Sequence, residues 1–283
     1  MTFSCGRFHF ALERPLIMGI VNLTPDSFSG DGVGSDVSRA IEQAHRLIAD
    51  GADMLDVGAE SSRPGAPSVP ADEELRRLLP VLAELADCKL PISVDTYKPA
   101  VMRAALDAGV SMINDIYGFR LPGAIEAIAA ADCGLCVMHM QGSPQTMQTA
   151  PHYENVIDEV RAFLEQRSDD LERAGVGRDR IVVDPGFGFG KTREHNLALF
   201  RALPELAASG RPLLVGLSRK SILGAITGHG VAGRVPASIT AAVLAAERGA
   251  AILRVHDVAA TRDALAVLDA VAPRRRDAEN QVT

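Results

Sequence analysis

The stretch Ile181-Val182-Val183-Asp184-Pro185-Gly186-Phe187-Gly188-Phe189-Gly190-Lys191 runs three branched aliphatics into a carboxylate and then into a glycine-rich loop. A short, continuous apolar run fits a strand covered on both faces. An acid at its C-terminal end sits where parallel α/β sheets put their chemistry. The glycines do not make a nucleotide loop. A Walker motif ending at Gly190-Lys191-Thr192 needs glycine where Pro185 stands, and Gly186-x-Gly188 meets Lys191 where the dinucleotide fingerprint needs its third glycine. The signal of the stretch is Asp184.

The same rhythm extends in both directions. Strand-like runs over 16–23, 54–57, 91–95, 111–115, 135–139, 181–184, 213–217 and 252–255 alternate with helical periodicity. The helices are expected over 38–50, 72–86 with Asp72 as cap, 98–108, within 122–131, 154–174, 194–208, 221–226 followed by 236–248, and 259–271. Eight strand–helix units with no break in composition predict one α/β domain over 1–272, a single (β/α)8 TIM barrel. Long loops rich in Gly, Ser and Pro follow the first two strands, over 24–36 and 58–71, and are expected to be mobile. The polar tail 273–283 is expected to be disordered.

Composition agrees. A chain of 283 residues suits one barrel, which commonly takes about 250 residues. Hydrophobic residues make up 47% but aromatics only 4%, so small aliphatics do the packing. A formal charge of −7 speaks against nucleic acid as a main partner. No apolar run approaches the roughly 18 residues of a membrane span, and no membrane partner is expected. Cys133 and Cys136 form a C-x-x-C without a second pair, so buried free thiols in a reducing compartment are the expected reading.

In such a barrel all C-terminal strand ends share one face. Asn22, Asp56, Asp95, Asn114, Asp115, His139, Asp184, Ser218, Lys220, Arg254 and His256 should converge there as a small-molecule site. Asp56 and Asp115 read equally well as anchors of neighbouring loops, and His139 reads as a hydrogen-bonded rim residue rather than a base. Asp95, Asp184, Lys220 and Arg254 supply both signs of charge near the mouth, which is costly without a purpose.

Eight stretches carry a resemblance: Met18 to Ser29 (MGIVNLTPDSFS), Asp56 to Gly65 (DVGAESSRPG), Ser93 to Thr96 (SVDT), Ile113 to Asp115 (IND), Met138 to Gly142 (MHMQG), Asp184 to Lys191 (DPGFGFGK), Ser218 to Lys220 (SRK) and Arg254 to Val258 (RVHDV). In these, from first strand to eighth, the chain is similar to the dihydropteroate synthases of folate biosynthesis. The resemblance implies condensation of 6-hydroxymethyl-7,8-dihydropterin diphosphate with 4-aminobenzoate, giving 7,8-dihydropteroate and diphosphate. It also implies a cytoplasmic homodimer that uses Mg²⁺.

Site roles follow from the resemblance. Asp95, Lys220, Asn22, Arg254 and His256 are the expected catalytic set, with Asn22 on the metal. Asp95, Asn114, Met138, Asp184, Lys220 and Arg254 are expected to bind the pterin, and Asn22, Ser62, Arg63, Arg254 and His256 the diphosphate. Phe28, Ser62, Arg63, Pro64, Phe189, Lys220 and Ser221 are expected around 4-aminobenzoate. Two positions depart from the family pattern: Ser62 replaces threonine, and Asp31 follows Gly30 where the loop acid is expected one residue earlier. Three rival readings are a methyltetrahydrofolate-dependent methyltransferase module, a non-catalytic pterin binder and a purely structural barrel. The first has no use for the Ser218-Arg219-Lys220 turn, and the last leaves the polar rim unexplained.

Overall fold

The alternation takes shape as parallel strands, preceded by a hairpin that the sequence reading did not include. The computed structural model describes residues 1–24, 37–63 and 65–271. Strands β1 (Thr2–Cys5) and β2 (Phe8–Ala11) pair antiparallel. The barrel strands are β3 (Leu16–Asn22), β4 (Met54–Gly58), β5 (Ile92–Asp95), β6 (Met112–Asp115), β7 (Gly134–Met138), β8 (Ile181–Asp184), β9 (Leu214–Val215) and β10 (Ile252–Val255). They pair in parallel in the order β8-β7-β6-β5-β4-β3-β10-β9, and a parallel bridge between Val183 and Leu213 joins the two ends. Helices pack between them: α1 (Val37–Ala49), α2 (Ala71–Glu84), α3 (Pro99–Asp107), α4 (Ala124–Ile128), α5 (Val156–Arg173), α6 (Arg193–Arg201), α7 (Leu203–Ala207), α8 (Ser221–Thr227), α9 (Val235–Glu247) and α10 (Val258–Val271).

The strands read as continuous apolar runs because both faces are buried, but the two faces bury different things. Side chains alternate across a strand. Ile17, Leu55, Val57, Val94, Ile113, Leu135, Val183 and Val255 belong to the layer packed against the helices. Met18, Met54, Met112, Cys136, Val182, Leu214 and Ile252 fill the lower barrel interior, where Phe3 and Cys5 of the hairpin close it. That plug comes close: a Cβ on Gly134 would lie 2.7 Å from the Cys5 Cβ. One step higher on the same inward face come Asp56, Asp95, Asn114, Met138, Asp184 and Arg254, so the period of two that packs the core also delivers the polar rim.

Two local expectations are corrected. Asp72 does not cap α2; Pro70 takes the cap position without a side-chain hydrogen bond, and Asp72 lies in the first turn, where its charge favours the helix dipole. The single helix expected over 194–208 is divided at Ala202 into α6 and α7. Pro204 sits in the first turn of α7, where its missing N–H leaves no bond unmade. Among the described residues no helix is long and apolar enough to cross a membrane. The tail 273–283 lies outside the described residues.

Candidate active site

Arg254 organises the upper interior. Its Nε donates to Asp56 Oδ2 at 2.6 Å and its Nη2 to Asp95 Oδ2 at 3.1 Å. Gly216 leaves room beside it, the nearest atom to a Cβ there being Arg254 Cβ at 3.7 Å. Burial pushes the Asp95 carboxyl up to about 7 against the pull of Arg254, with Asp56 adding to the rise. Two carboxylates thus share one guanidinium, which stays protonated. Asp56 reads in the sequence as either a site residue or an anchor of a neighbouring loop; the partners of its carboxylate are the side chains of Arg254 and Asn114.

Beside this group Asn114 donates its Nδ2 to Asp56 Oδ2 at 3.3 Å, while its Oδ1 is buried without a hydrogen-bond partner among the described residues. Asp184 is held by a backbone donor, the Gly186 N–H, at 2.7 Å from Oδ1. Burial raises its carboxyl above the usual range, opposed by Lys220, the Gly186 bond and Lys191. Met138 is buried among Ile116, Met140 and Met147, with Phe189, Tyr97 and Tyr117 packed against them. Lys220 donates to the Phe187 carbonyl at 2.5 Å and lies 4.8 Å from the centre of the Phe189 ring. Burial lowers its ammonium to about 8, with Asp184 resisting.

The glycine loop after β8 explains this arrangement. Gly186 has φ +68, and a Cβ there would come within 1.9 Å of the His139 carbonyl oxygen. Gly186→Ala is therefore expected to destabilise the fold by about 2 kcal/mol or more, read by denaturant unfolding. A change below about 0.5 kcal/mol would mean that this turn relaxes freely.

The strand ends around β9 and β10 make an electropositive corner. Arg219, at φ +56, grips Asp257 through Nε at 3.0 Å and Nη2 at 2.6 Å. That clamp joins the turn bearing Lys220 to the turn bearing His256. His256 Nδ1 lies 2.9 Å from Ser218 Oγ. Burial, then Arg219, Arg254 and Lys220, drive its imidazole down to about 3. Asn22 ends β3 in the same layer as Gly58, Asp95 and Asn114. Ser62 and Arg63 are half-buried beyond β4, and Ser221, at the start of α8, is exposed. Phe28, Asp31 and Pro64 lie outside the described residues.

Two rim candidates are structural. Asp115 is the neighbour of inward-facing Asn114 and turns away from the interior, accepting from the N–H groups of Tyr117 at 2.7 Å and Phe119 at 2.8 Å. It is the loop anchor that one of its two sequence readings described. His139 Nδ1 lies 2.9 Å from Lys191 Nζ, and burial with Lys191 and Arg120 lowers it to about 2. Cys133 and Cys136 are buried free thiols, each raised chiefly by burial.

Some functional geometry escaped the sequence. Lys98 joins Glu60 and Glu74, and Tyr97 donates to Glu60 at 2.7 Å, tying the loop after β4 to the start of α3. Glu60 stood in a recognised motif, but only the fold supplies its partners. Lys191 likewise closes a recognised motif, but nothing in the sequence marks its ammonium as buried.

The geometry defines a barrel with charged and polar side chains gathered at its C-terminal mouth, and comparison with known proteins agrees with that fold. The family model described as pterin binding enzyme matches residues 18–256. Dihydropteroate synthase of Neisseria meningitidis serogroup B is 50% identical over 276 residues, covering 95% of this chain and 97% of that one. The structure of Burkholderia cenocepacia dihydropteroate synthase complexed with 7,8-dihydropteroate superposes with a TM-score of 0.88 at 53% identity, covering 99% of this chain and 98% of that one. Xanthomonas albilineans dihydropteroate synthase with 4-aminobenzoic acid gives a TM-score of 0.87 at 49% identity, covering 95% and 98%. The chain belongs to the pterin binding enzyme family. Within that family it falls among the dihydropteroate synthases, transferases that move an alkyl group other than methyl.

Proposed function

We propose that this rim joins 6-hydroxymethyl-7,8-dihydropterin diphosphate to 4-aminobenzoate by a dissociative substitution at the pterin methylene. The observation that carries the reading is the adjacency of a carboxylate pair on Arg254 and an electropositive corner of Lys220, Arg219 and a neutral His256. A bond that breaks into a carbon cation and a diphosphate anion needs both.

The pterin edge presents its 2-amino group and N3–H side by side, and an ionised carboxylate receives both. Asp184 takes that role and the unpartnered Asn114 Oδ1 accepts a further ring N–H; the donor side of Asn114 is already given to Asp56. Lys220 donates to the ring oxygen and N5. The Arg254 plane, fixed by its two carboxylates, stacks on the ring, and Met138 lines the wall. The methylene C–O bond breaks with its electron pair leaving on diphosphate, and the dihydropterin delocalises the positive charge, faced by Asp95 and Asp56. The amine nitrogen then bonds to the methylene, and the arylammonium releases its proton without a strong base.

Asn22, His256, Arg63, Ser62 and Arg254 would receive the diphosphate. His256 spends Nδ1 on Ser218 and leaves Nε2 for a phosphate oxygen. The Asn22 amide makes no hydrogen bond to a described residue, and among the described residues no three His, Cys, Asp or Glu side chains gather to hold a metal. That donor set fits Mg²⁺, which favours one or two protein oxygens with phosphate and water, and Asn22 would hold it. When bound, Mg²⁺ neutralises charge on the departing diphosphate. Phe189, Phe28 and Pro64 would wall the aryl ring, with Ser62, Arg63, Lys220 and Ser221 toward its carboxylate. The reading also includes a cytoplasmic setting, which four free thiols suit, and a homodimer.

Diphosphate release from the pterin substrate, measured with and without 4-aminobenzoate, tests the reading. Release matched by dihydropteroate formation is expected. A protein that binds pterin yet releases no diphosphate with both substrates present would be the non-catalytic binder. The pH profile of kcat/KM should be bell-shaped. It should rise near pH 7, as Asp95 ionises to face the cation, and fall near pH 8, as Lys220 loses its proton. A profile that keeps its acid limb in Asp95→Asn would remove that assignment.

A further inference from the structure

Lys191 is 3% exposed and offers three N–H donors. Three acceptors take them: His139 Nδ1 at 2.9 Å, the Gly186 carbonyl at 2.9 Å and the Phe189 carbonyl at 3.0 Å, with the His139 carbonyl further off at 3.4 Å. All four are neutral, and the imidazole must present its bare Nδ1 to the ammonium. Burying a cation without a contacting carboxylate is costly. Three turn contacts could be replaced by apolar packing, so the charge itself needs an explanation.

The opposite charge that acts on it is Asp184, and one residue joins the two. Gly186 donates its N–H to Asp184 Oδ1 at 2.7 Å and offers its carbonyl to Lys191. The groups facing Asp184 from neighbouring strands are Lys220 after β9, Arg254 on β10, the protonated thiol of Cys136 on β7 and the neutral His139 beyond it. Arg254 already serves two carboxylates, and Lys220 leans on Phe187 and Phe189. Lys191 is enclosed beneath the loop by neutral groups alone.

We infer that Lys191 is a positioning residue for the pterin-binding carboxylate. It holds Gly186 so that its N–H aims Asp184, and after Lys220 it adds to the positive charge that keeps Asp184 ionised for the pterin N–H groups. The inference rests on the reading of Asp184 as the pterin acceptor. Lys191 itself is lowered to about 7 by burial, so its hold weakens as pH rises.

The test is calorimetric binding of 6-hydroxymethyl-7,8-dihydropterin to the full chain from about pH 6 to about pH 8.5, for the wild type, Lys191→Gln, Lys191→Met and Asp184→Asn. The glutamine keeps donors for the loop carbonyls but no charge, and it decides the matter should the methionine variant not fold. Wild-type affinity should be level or fall as pH rises. In Lys191→Gln it should be about tenfold weaker at the acid end and recover with rising pH, as an Asp184 deprived of its cation ionises later. A glutamine variant whose profile parallels the wild type, whatever its absolute affinity, would overturn the inference and leave Lys191 a structural pin. Wild-type pterin binding by Asp184→Asn would instead remove the reading beneath it.

Discussion

Replacing Arg254 by methionine should destabilise the barrel by about 3–5 kcal/mol at neutral pH, because it strands two buried carboxylates that now share one guanidinium. Asp56 is fully buried while Asp95 keeps 16% of its side chain exposed, so Asp56 above all cannot turn to water for the lost partner. The effect should depend on pH with a definite sign. Burial already holds Asp95 at about 7 against the pull of Arg254, and without the cation its carboxyl rises further. The penalty is therefore smallest at acid pH, where this carboxyl is protonated with or without Arg254, and grows as pH climbs through and past about 7. Urea unfolding of Arg254→Met at acid and neutral pH reads this directly. A loss below about 1 kcal/mol at both would mean that the pair is hydrated and that Arg254 serves the ligand alone. Activity should fall to background in either case, since the stacking plane and the phosphate contact leave together.

Asp184→Asn should abolish tight pterin binding while the barrel stays folded. The Gly186 N–H already engages one carboxylate oxygen, so the amide will keep its oxygen there and turn its NH₂ into the pocket. Donor then meets donor at the pterin edge. Losing a charged hydrogen-bond pair costs about 1.5–3 kcal/mol, roughly ten- to 150-fold in Kd, and more in a dry pocket. Calorimetric binding unchanged within about twofold would take Asp184 out of the site.

The parts of this protein that were legible in its sequence are those in which one physical rule acts alone. Ile181-Val182-Val183-Asp184 could be read because a strand buried on both faces shows no other pattern, and β8 spans those four residues. The rim followed from the rule that parallel strands end together, and Asp95, Asn114, Asp184 and Arg254 do lie on one inward face. Asp115 was harder, since facing is a matter of single-residue parity: its neighbour Asn114 points in, so it points out. The role of Asp56 required knowing that Arg254, 198 residues away, would reach across the barrel. The hairpin escaped because Phe3, Cys5, Phe8 and Phe10 alternate over strands of only four residues each, although Gly6 with φ +57 supplies its turn. Lys191 escaped because nothing in a sequence distinguishes an internal ammonium from a solvated one.

The claim most open to direct test is that the methylene–oxygen bond breaks before the amine attacks. With ¹⁸O placed in the bridging position of the pterin diphosphate, the enzyme incubated without 4-aminobenzoate should form and re-form the bond, moving label into the non-bridging oxygens of the recovered substrate. Scrambling in the absence of the amine is the result this account predicts. Label that stays in the bridge throughout, in an enzyme that turns over once the amine is added, would show that bond breaking waits for the nucleophile and would contradict it.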